Sequence, residues 1–305
     1  MPAHRARPVC LAAGSPEDSP AHSRVRAPGT GFLAARNWLR RIWLLLVSVA
    51  CSACATHLPP VSRPFTRSLT LDARRLTLHL ANRDSTGKRP LLVYTTGDGG
   101  WGRKDLALYQ EIVAWGYPTA GFSAPDYLDH LRDESGTTTP ERLGRDYADI
   151  IAFAETSLGV EPGTPVVLIG VSRGAGLEVV AAGQPRVRDK LTGVVAVALT
   201  REEEYVRWYG RLPVLHHTQK PVMVQVYEYL PLLGSLPIAV IQSTHDQFLS
   251  APAAAQLFGA DTPTRRFHPI DARNHSFAGA RGEMYQAVRD ALDWIMSREP
   301  RAATP

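Results

Sequence analysis

The sequence predicts an α/β fold, a mostly parallel sheet with helices on both faces, folded as one domain over residues 65–298 of a 305-residue chain. Three observations carry this prediction. Apolar runs of strand length recur along the chain, and helical patterns separate them. The most apolar run, Val166-Val167-Leu168-Ile169, passes straight into Gly170-Val171-Ser172-Arg173-Gly174, after which a helical pattern begins with Leu177, Val179, Val180 and Ala181. A serine between two glycines on a strand-to-helix turn is the setting a nucleophile elbow requires. There the serine backbone is strained toward positive φ, and residues two before and two after must lack side chains so that strand and helix pass closely. G-x-S-x-G also arises by chance in glycine-bearing βα turns, and its placement here favours the functional reading.

The N-terminal 55 residues stand apart. Residues 1–37 are rich in Pro, Ala, Arg and Ser with no apolar period, a composition that buries no core and reads as disorder or as sequence upstream of the true start. Arg40-Arg41 then precedes the apolar run Ile42 to Ala50, too short to span a bilayer as a mature helix and laid out as an export signal. Ala53-Cys54-Ala55 supplies an A-x-A cleavage site, while Cys51 and Cys54 also allow a lipid anchor, so soluble and lipid-anchored periplasmic forms both stand open. This segment holds seven Arg and two acids of the chain's 34 basic and 29 acidic side chains, leaving 27 of each in the remainder. The basic character therefore belongs to the leader, and a nucleic-acid partner is not expected. Cys10, Cys51 and Cys54 are the only cysteines, so the domain has no internal disulfide and no thiolate metal site.

In chain order, residues 68–82 alternate apolar and polar side chains around Asp72-Ala73-Arg74-Arg75, which predicts an edge hairpin. Arg83 to Pro90 is a polar turn. Leu91-Leu92-Val93-Tyr94 is a buried strand that leads into Gly97-Asp98-Gly99-Gly100-Trp101, and a helix bearing Leu106, Tyr109, Ile112 and Val113 follows. Three glycines in four positions free backbone N–H groups to face a ligand, as in an oxyanion loop, or form an ordinary βα turn. Thr119 to Phe122 is a short strand and Asp126 to Thr138 a polar loop. Thr139-Pro140-Glu141 opens a helix with an N-cap and a first-turn proline, and Tyr147, Ile150, Ile151 and Ala154 form its apolar face. Gly193 to Leu199 is a further strand with a polar exit over Thr200 to Tyr205. Residues 205–220, with Tyr205, Trp208, Tyr209, His216 and His217, form either a lid or a loop on the domain edge. Met223 to Tyr227, Ile238 to Gln242 and Arg265 to Ile270 complete the strands. A final helix from Glu283 to Ser297 places Met284, Ala287, Val288, Ala291, Leu292 and Ile295 on one face.

Loops at the carboxyl ends of parallel strands share one rim, and three reactive residues fall at such ends: Ser172, Asp246 and His275. Their order, Ser, Asp, His, is that of an α/β-hydrolase. His275 would take the serine proton through one ring nitrogen while Asp246 accepts a hydrogen bond from the other. The Arg173 N–H, with that of Asp98 or Gly99, would hold the oxyanion. His245, His268, His216 and His217 compete for the base, and Asp271, Glu202 or Glu203 for the acid. His216-His217 lacks the spacing to bind one metal ion. The chemistry needs no cofactor.

These residues carry a resemblance. Gly97-Asp98-Gly99-Gly100-Trp101, Thr139-Pro140-Glu141, Gly170-Val171-Ser172-Arg173-Gly174-Ala175 and the Asp246 and His275 loops are similar to the S-G-D-G-G-W, T-P-E and G-Y-S-F-G-A elements and triad loops of the VirJ/AcvB bacterial virulence proteins, exported α/β-hydrolases. The chain departs from that pattern at Gly176, where the family usually has Asp, and over Phe122 to Gly136. The resemblance implies a serine hydrolase acting on an ester, in the best understood members an aminoacylated phospholipid, with peripheral membrane contact. A non-catalytic cell-envelope binding protein on the same scaffold is the alternative.

Overall fold

In a computed structural model, the structure describes residues 64–72, 74–84, 89–130, 139–204 and 223–298. The segment read as an export signal, the three cysteines, residues 131–138 and the 205–220 stretch with His216 and His217 lie outside the described residues.

The chain begins with the expected hairpin, β1 (Phe65–Leu71) and β2 (Arg74–Ala81), paired antiparallel. β3 (Leu91–Thr95), α1 (Arg103–Ala114), β4 (Thr119–Phe122), α2 (Ala124–His130) and α3 (Pro140–Leu158) follow. β5 (Val166–Val171) runs into α4 (Arg173–Ala182), and a single turn, α5 (Pro185–Arg188), leads to β6 (Leu191–Val197). β7 (Glu202–Glu204), β8 (Met223–Gln225), a 3-10 helix (Val226–Leu233), β9 (Ile238–Ser243), α6 (Ala251–Phe258), β10 (Arg265–Ile270) and α7 (Arg281–Met296) complete the order.

Eight strands form one sheet in the order β1-β2-β4-β3-β5-β6-β9-β10. From β4 to β10 every neighbouring pair is parallel, and the hairpin joins antiparallel at the β4 edge. The central strands are apolar at every position because both faces are covered, yet the two-residue period still sorts them. Leu91, Val93, Leu168, Val194 and Val240 pack toward α3 and α4, in a core with Tyr147, Ile150, Ile151 and Leu177. Leu92, Tyr94, Val167, Ile169, Val195 and Ile241 face the other way, onto Leu108, Tyr109, Ile112 and Val113 of α1 and the whole apolar face read for α7. The architecture is thus the α/β fold the strand and helix alternation predicts.

Four local expectations need correction. Asp126 to Thr138 was expected as a polar loop, but Ala124–His130 is helical, since Tyr127 and Leu128 are buried against the core and the Tyr127 hydroxyl donates to Asp146 Oδ2 at 2.9 Å. Leu106 is exposed at 38%, and Leu108 takes the buried position on α1. The polar exit after β6 contains a strand, β7, whose three consecutive glutamates pair antiparallel with β8 in a separate two-stranded sheet. Tertiary pairing overrides strand propensity there. The strand read over Met223 to Tyr227 ends at Gln225, and the chain continues as a 3-10 helix.

The cap read at Thr139 is present: its side chain accepts a hydrogen bond from the Arg142 N–H at 3.2 Å, with Pro140 in the first turn. Thr139→Ala should lower stability by about 1 kcal/mol, a fall of about 2–4 °C in melting temperature for a domain of this size. An unchanged melting curve would show that the cap is replaced by solvent at no cost.

Candidate active site

The turn between β5 and α4 forces the chain through a strained residue. Ser172 has φ 52 and ψ −116, outside the regions that L-residues normally occupy. Its N–H donates to Val197 O at 2.8 Å, and its carbonyl accepts from the Gly176 N–H at 3.1 Å, so ladder and helix hold the strain from both sides. The flanking glycines are steric necessities. A Cβ on Gly170 would stand 2.5 Å from Ala175 N, and one on Gly174 2.3 Å from Thr95 O.

Asp246 lies beyond β9 and His275 beyond β10, both at the carboxyl edge of the sheet. The Asp246 carboxylate is fully used: Oδ1 accepts from Phe248 N at 2.8 Å and Leu249 N at 3.4 Å, and Oδ2 from Gln242 Nε2 at 3.0 Å. Its Oδ2 also meets His275 Nδ1 at 2.6 Å. A carboxylate only accepts, so Nδ1 carries the proton and Nε2 is left as an acceptor. Ser172 Oγ is 2.8 Å from that Nε2, within donating reach. The His275 loop is pinned on several sides: its own N–H donates to Gln247 Oε1 at 3.2 Å, Asn274 Oδ1 accepts from Ser276 N and Ala278 N, and Ser243 Oγ donates to Ala272 O at 3.1 Å. The Phe248 ring meets the His275 ring edge-on at 4.8 Å.

The other candidates among the described residues do not meet at Ser172. His245 is exposed and lies 3.7 Å from Asp271, itself exposed. His268 is half-buried on β10, and burial lowers its pKa. Glu202 faces solvent and accepts from Gln225. Glu203 is buried, but its carboxylate accepts from Thr200 Oγ1 and stands 3.7 Å from Arg173 Nη1. Among the described residues no three His, Cys, Asp or Glu side chains converge as metal ligands.

The glycine-rich loop after β3 borders the same cavity, of about 970 Å³, and Asp98, Gly99, Ser172, Arg173 and His275 all line it. Two anchors shape this loop. Asp105, in the first turn of α1, accepts the Gly97 N–H at 2.8 Å and the Tyr94 hydroxyl at 3.1 Å. Beyond Gly100, which has φ 56, Trp101 packs on His79 at 4.3 Å and on Tyr109 at 5.1 Å. Gly121 makes room for both rings, since a Cβ there would stand 2.7 Å from Trp101 and 2.8 Å from Tyr109.

Sequence reasoning missed the polar layer under the elbow. Thr95 Oγ1 donates to Glu178 Oε1 at 2.8 Å and lies 3.1 Å from the Tyr147 hydroxyl, all of it buried. The available signal was a glutamate inside the apolar run Leu177 to Ala182. Burial holds the Glu178 carboxyl well above the usual carboxylate range.

The architecture is the α/β-hydrolase fold. Solved structures agree on the fold. Est1E from Butyrivibrio proteoclasticus superposes with a TM-score of 0.56 at 13% identity, over 76% of this chain and 99% of that one. The Pyrococcus furiosus esterase Pf2001 gives 0.55 at 14% identity over 76% and 90%, and a soluble variant of Saccharomyces cerevisiae monoglyceride lipase gives 0.52 at 11% over 77% and 97%. Residues 90–226 match the family described as bacterial virulence protein (VirJ). That match takes in the glycine-rich loop, Thr139-Pro140-Glu141 and the elbow, and ends before Asp246 and His275. No curated protein matches the chain.

Two predictions follow from this geometry. Gly174→Ala should force β3 and α4 apart, costing about 1–3 kcal/mol or more; a urea midpoint equal to that of the native chain would show that they do not approach so closely. For Glu178 the folded state binds its proton more tightly than the unfolded chain. Its stabilising contribution is full at acidic pH and declines as pH rises past the unfolded carboxyl value of about 4.3. Glu178→Gln keeps an acceptor for Thr95 and cannot ionise, so its melting temperature should improve relative to the native chain as pH rises above the unfolded carboxyl value of about 4.3. A difference independent of pH would show that Glu178 is not held protonated.

Proposed function

We propose that this chain is an exported serine hydrolase that cleaves a carboxylic ester through Ser172, His275 and Asp246. The observation that carries the reading is His275 bridging Ser172 Oγ at 2.8 Å and Asp246 Oδ2 at 2.6 Å. Ser172 attacks the ester carbonyl while Nε2 of His275 takes its proton, and Asp246 holds the ring and stabilises the imidazolium. The oxyanion is met by the backbone N–H of Arg173 with that of Asp98 or Gly99, at the positively polarised start of α4. Collapse of the tetrahedral intermediate passes the proton to the departing alcohol and leaves an acyl-Ser172. Water, deprotonated by His275, then releases the acid. Every atom of this cycle comes from ester, water and side chains already present.

For the substrate, we favour the ester of an aminoacylated phospholipid headgroup at the periplasmic face of the membrane. Support comes from the VirJ match over residues 90–226, from what that resemblance implies, and from the export-signal layout of residues 40–55. Fold neighbours that are themselves an esterase and a monoglyceride lipase fit ester chemistry.

A fluorophosphonate probe should label the native chain and leave Ser172→Ala unlabelled; a scaffold without hydrolytic function would stay unlabelled in both forms. Ser172→Ala and His275→Ala should each remove nearly all activity, and the double variant should be little worse than either. Asp246→Ala should cost less, roughly a hundredfold. Assays should pair short p-nitrophenyl esters with aminoacyl-phosphatidylglycerol, and turnover of the first without the second would overturn the lipid assignment. Persistence of activity in Ser172→Ala would overturn the covalent mechanism. Mass spectrometry of protein from its native host should place the mature N-terminus at Thr56 or at an acylated cysteine, and an unprocessed Met1 would overturn export.

A further inference from the structure

Arg173 is an unusual residue to bury where it stands. It is the first residue of α4, the end of a helix that favours anions over cations, and it is only 9% exposed. Two carboxylates offset that cost. Its Nε donates to Asp98 Oδ1 and its Nη2 to Asp98 Oδ2 at 3.4 Å, while its Nη1 stands 3.7 Å from Glu203 Oε2. Only a planar fork can reach both acids at once.

The partners matter because of where they sit in the chain. Asp98 lies on the glycine-rich loop after β3, 75 residues from Arg173 in sequence. Arg173 is assigned above to hold the oxyanion through its backbone N–H together with that of Asp98 or its neighbour Gly99, and here Arg173 and Asp98 clasp each other through their side chains. The loop between Gly97 and Gly100 is rich in glycine and intrinsically free. Its two ends are fixed, by Asp105 on Gly97 N and by the packing of Trp101, and Arg173 holds it in between. Glu203 reaches the guanidinium from β7 and itself accepts from Thr200 Oγ1. Gly176 leaves space for it: a Cβ there would stand 2.5 Å from Glu203 Cγ.

We infer that the Arg173–Asp98 pair is a latch that sets the spacing between the two oxyanion donors, with Glu203 holding the guanidinium from the β7 side. Arg173 and Asp98 thereby act, through their side chains, as positioning residues. This rests on the hydrolase reading above. A hole works only when its donors are held in place before charge develops on the carbonyl oxygen, and a donor removed outright costs about a hundredfold to a thousandfold in kcat. Donors that are present but loose should cost less.

The test compares Asp98→Asn, Arg173→Met, Arg173→Lys and the Asp98→Asn/Arg173→Met pair on an ester and on the matching thionoester, whose sulfur accepts hydrogen bonds weakly and so draws less on the hole. The expected result is a loss of about tenfold to a hundredfold in kcat on the oxygen ester, a clearly smaller loss on the thionoester, and KM within about twofold. The double variant should be no worse than the worse single one, because one contact is lost in all of them. Arg173→Lys should keep part of the activity. Asp98 is half exposed, so Asp98→Asn carries the test alone if Arg173→Met fails to fold. Unchanged kcat in a labelled, active protein would overturn the latch and leave the hydrolase reading standing. A rise in KM at constant kcat would overturn it by making Arg173 a substrate contact. Equal losses on ester and thionoester would overturn it by making the pair a general fold contact. A native chain inert to both the ester and the fluorophosphonate would overturn the hydrolase reading, and the latch with it.

Discussion

The close passage of α4 beneath the loop after β3 is the constraint on which the rest of the site depends. It requires a residue at φ 52 between two glycines, and the nearer contact, Gly174 against the Thr95 and Thr96 carbonyls, leaves no room for a single methyl group. A non-glycine residue so held costs about 1–3 kcal/mol. The strain persists because the β5 ladder and the first turn of α4 over-determine it from either side. Its consequence is geometric: the Ser172 side chain stands clear of both elements, and the loop carrying Asp98 is drawn to within a side-chain length of Arg173.

Polar groups line the same contact on its buried side. Thr95, Glu178 and Tyr147 tie β3, α4 and α3 together in the interior, and Tyr127 and Asp146 do the same for α2 and α3. Burial raises both carboxyls, so each is easiest to keep inside in its neutral form. Such a layer trades some stability for a defined register between sheet and helix, because the partners meet in only one arrangement. It is fitting that this layer lies under the loops whose spacing the proposed chemistry requires.

The acid and the base are held differently from the serine. Asp246 is fixed by two backbone N–H groups and Gln242, and His275 by a loop whose turns close on Asn274. Neither residue needs strain. Each sits after a strand, β9 and β10, that pairs in register with its neighbour from Arg265↔Ile238 to Ile270↔Ser243, so the sheet itself sets their separation. The serine depends on a turn, and its two partners depend on a ladder.

Much of this was legible in the sequence for a physical reason: strands buried on both faces of a parallel sheet must be apolar throughout, and amphipathic helices must show one stripe. β3, β5, β9 and the apolar face of α7 follow from those rules alone, as do the N-cap at Thr139 and the glycines at 170 and 174. Ser172, Asp246 and His275 were readable as a set because parallel strands bring their carboxyl ends to one rim. Only tertiary structure decided what depends on partners distant in the chain. Glu202–Glu204 forms a strand because Met223–Gln225 lies beside it, and Tyr127 turns a polar stretch helical because a buried carboxyl waits on α3. Glu178 enters the core because Thr95 meets it there, and the side chains of Arg173 and Asp98 join across 75 residues of sequence. Local pattern encodes which face of an element is buried; which charged group another will meet inside is encoded only in the fold.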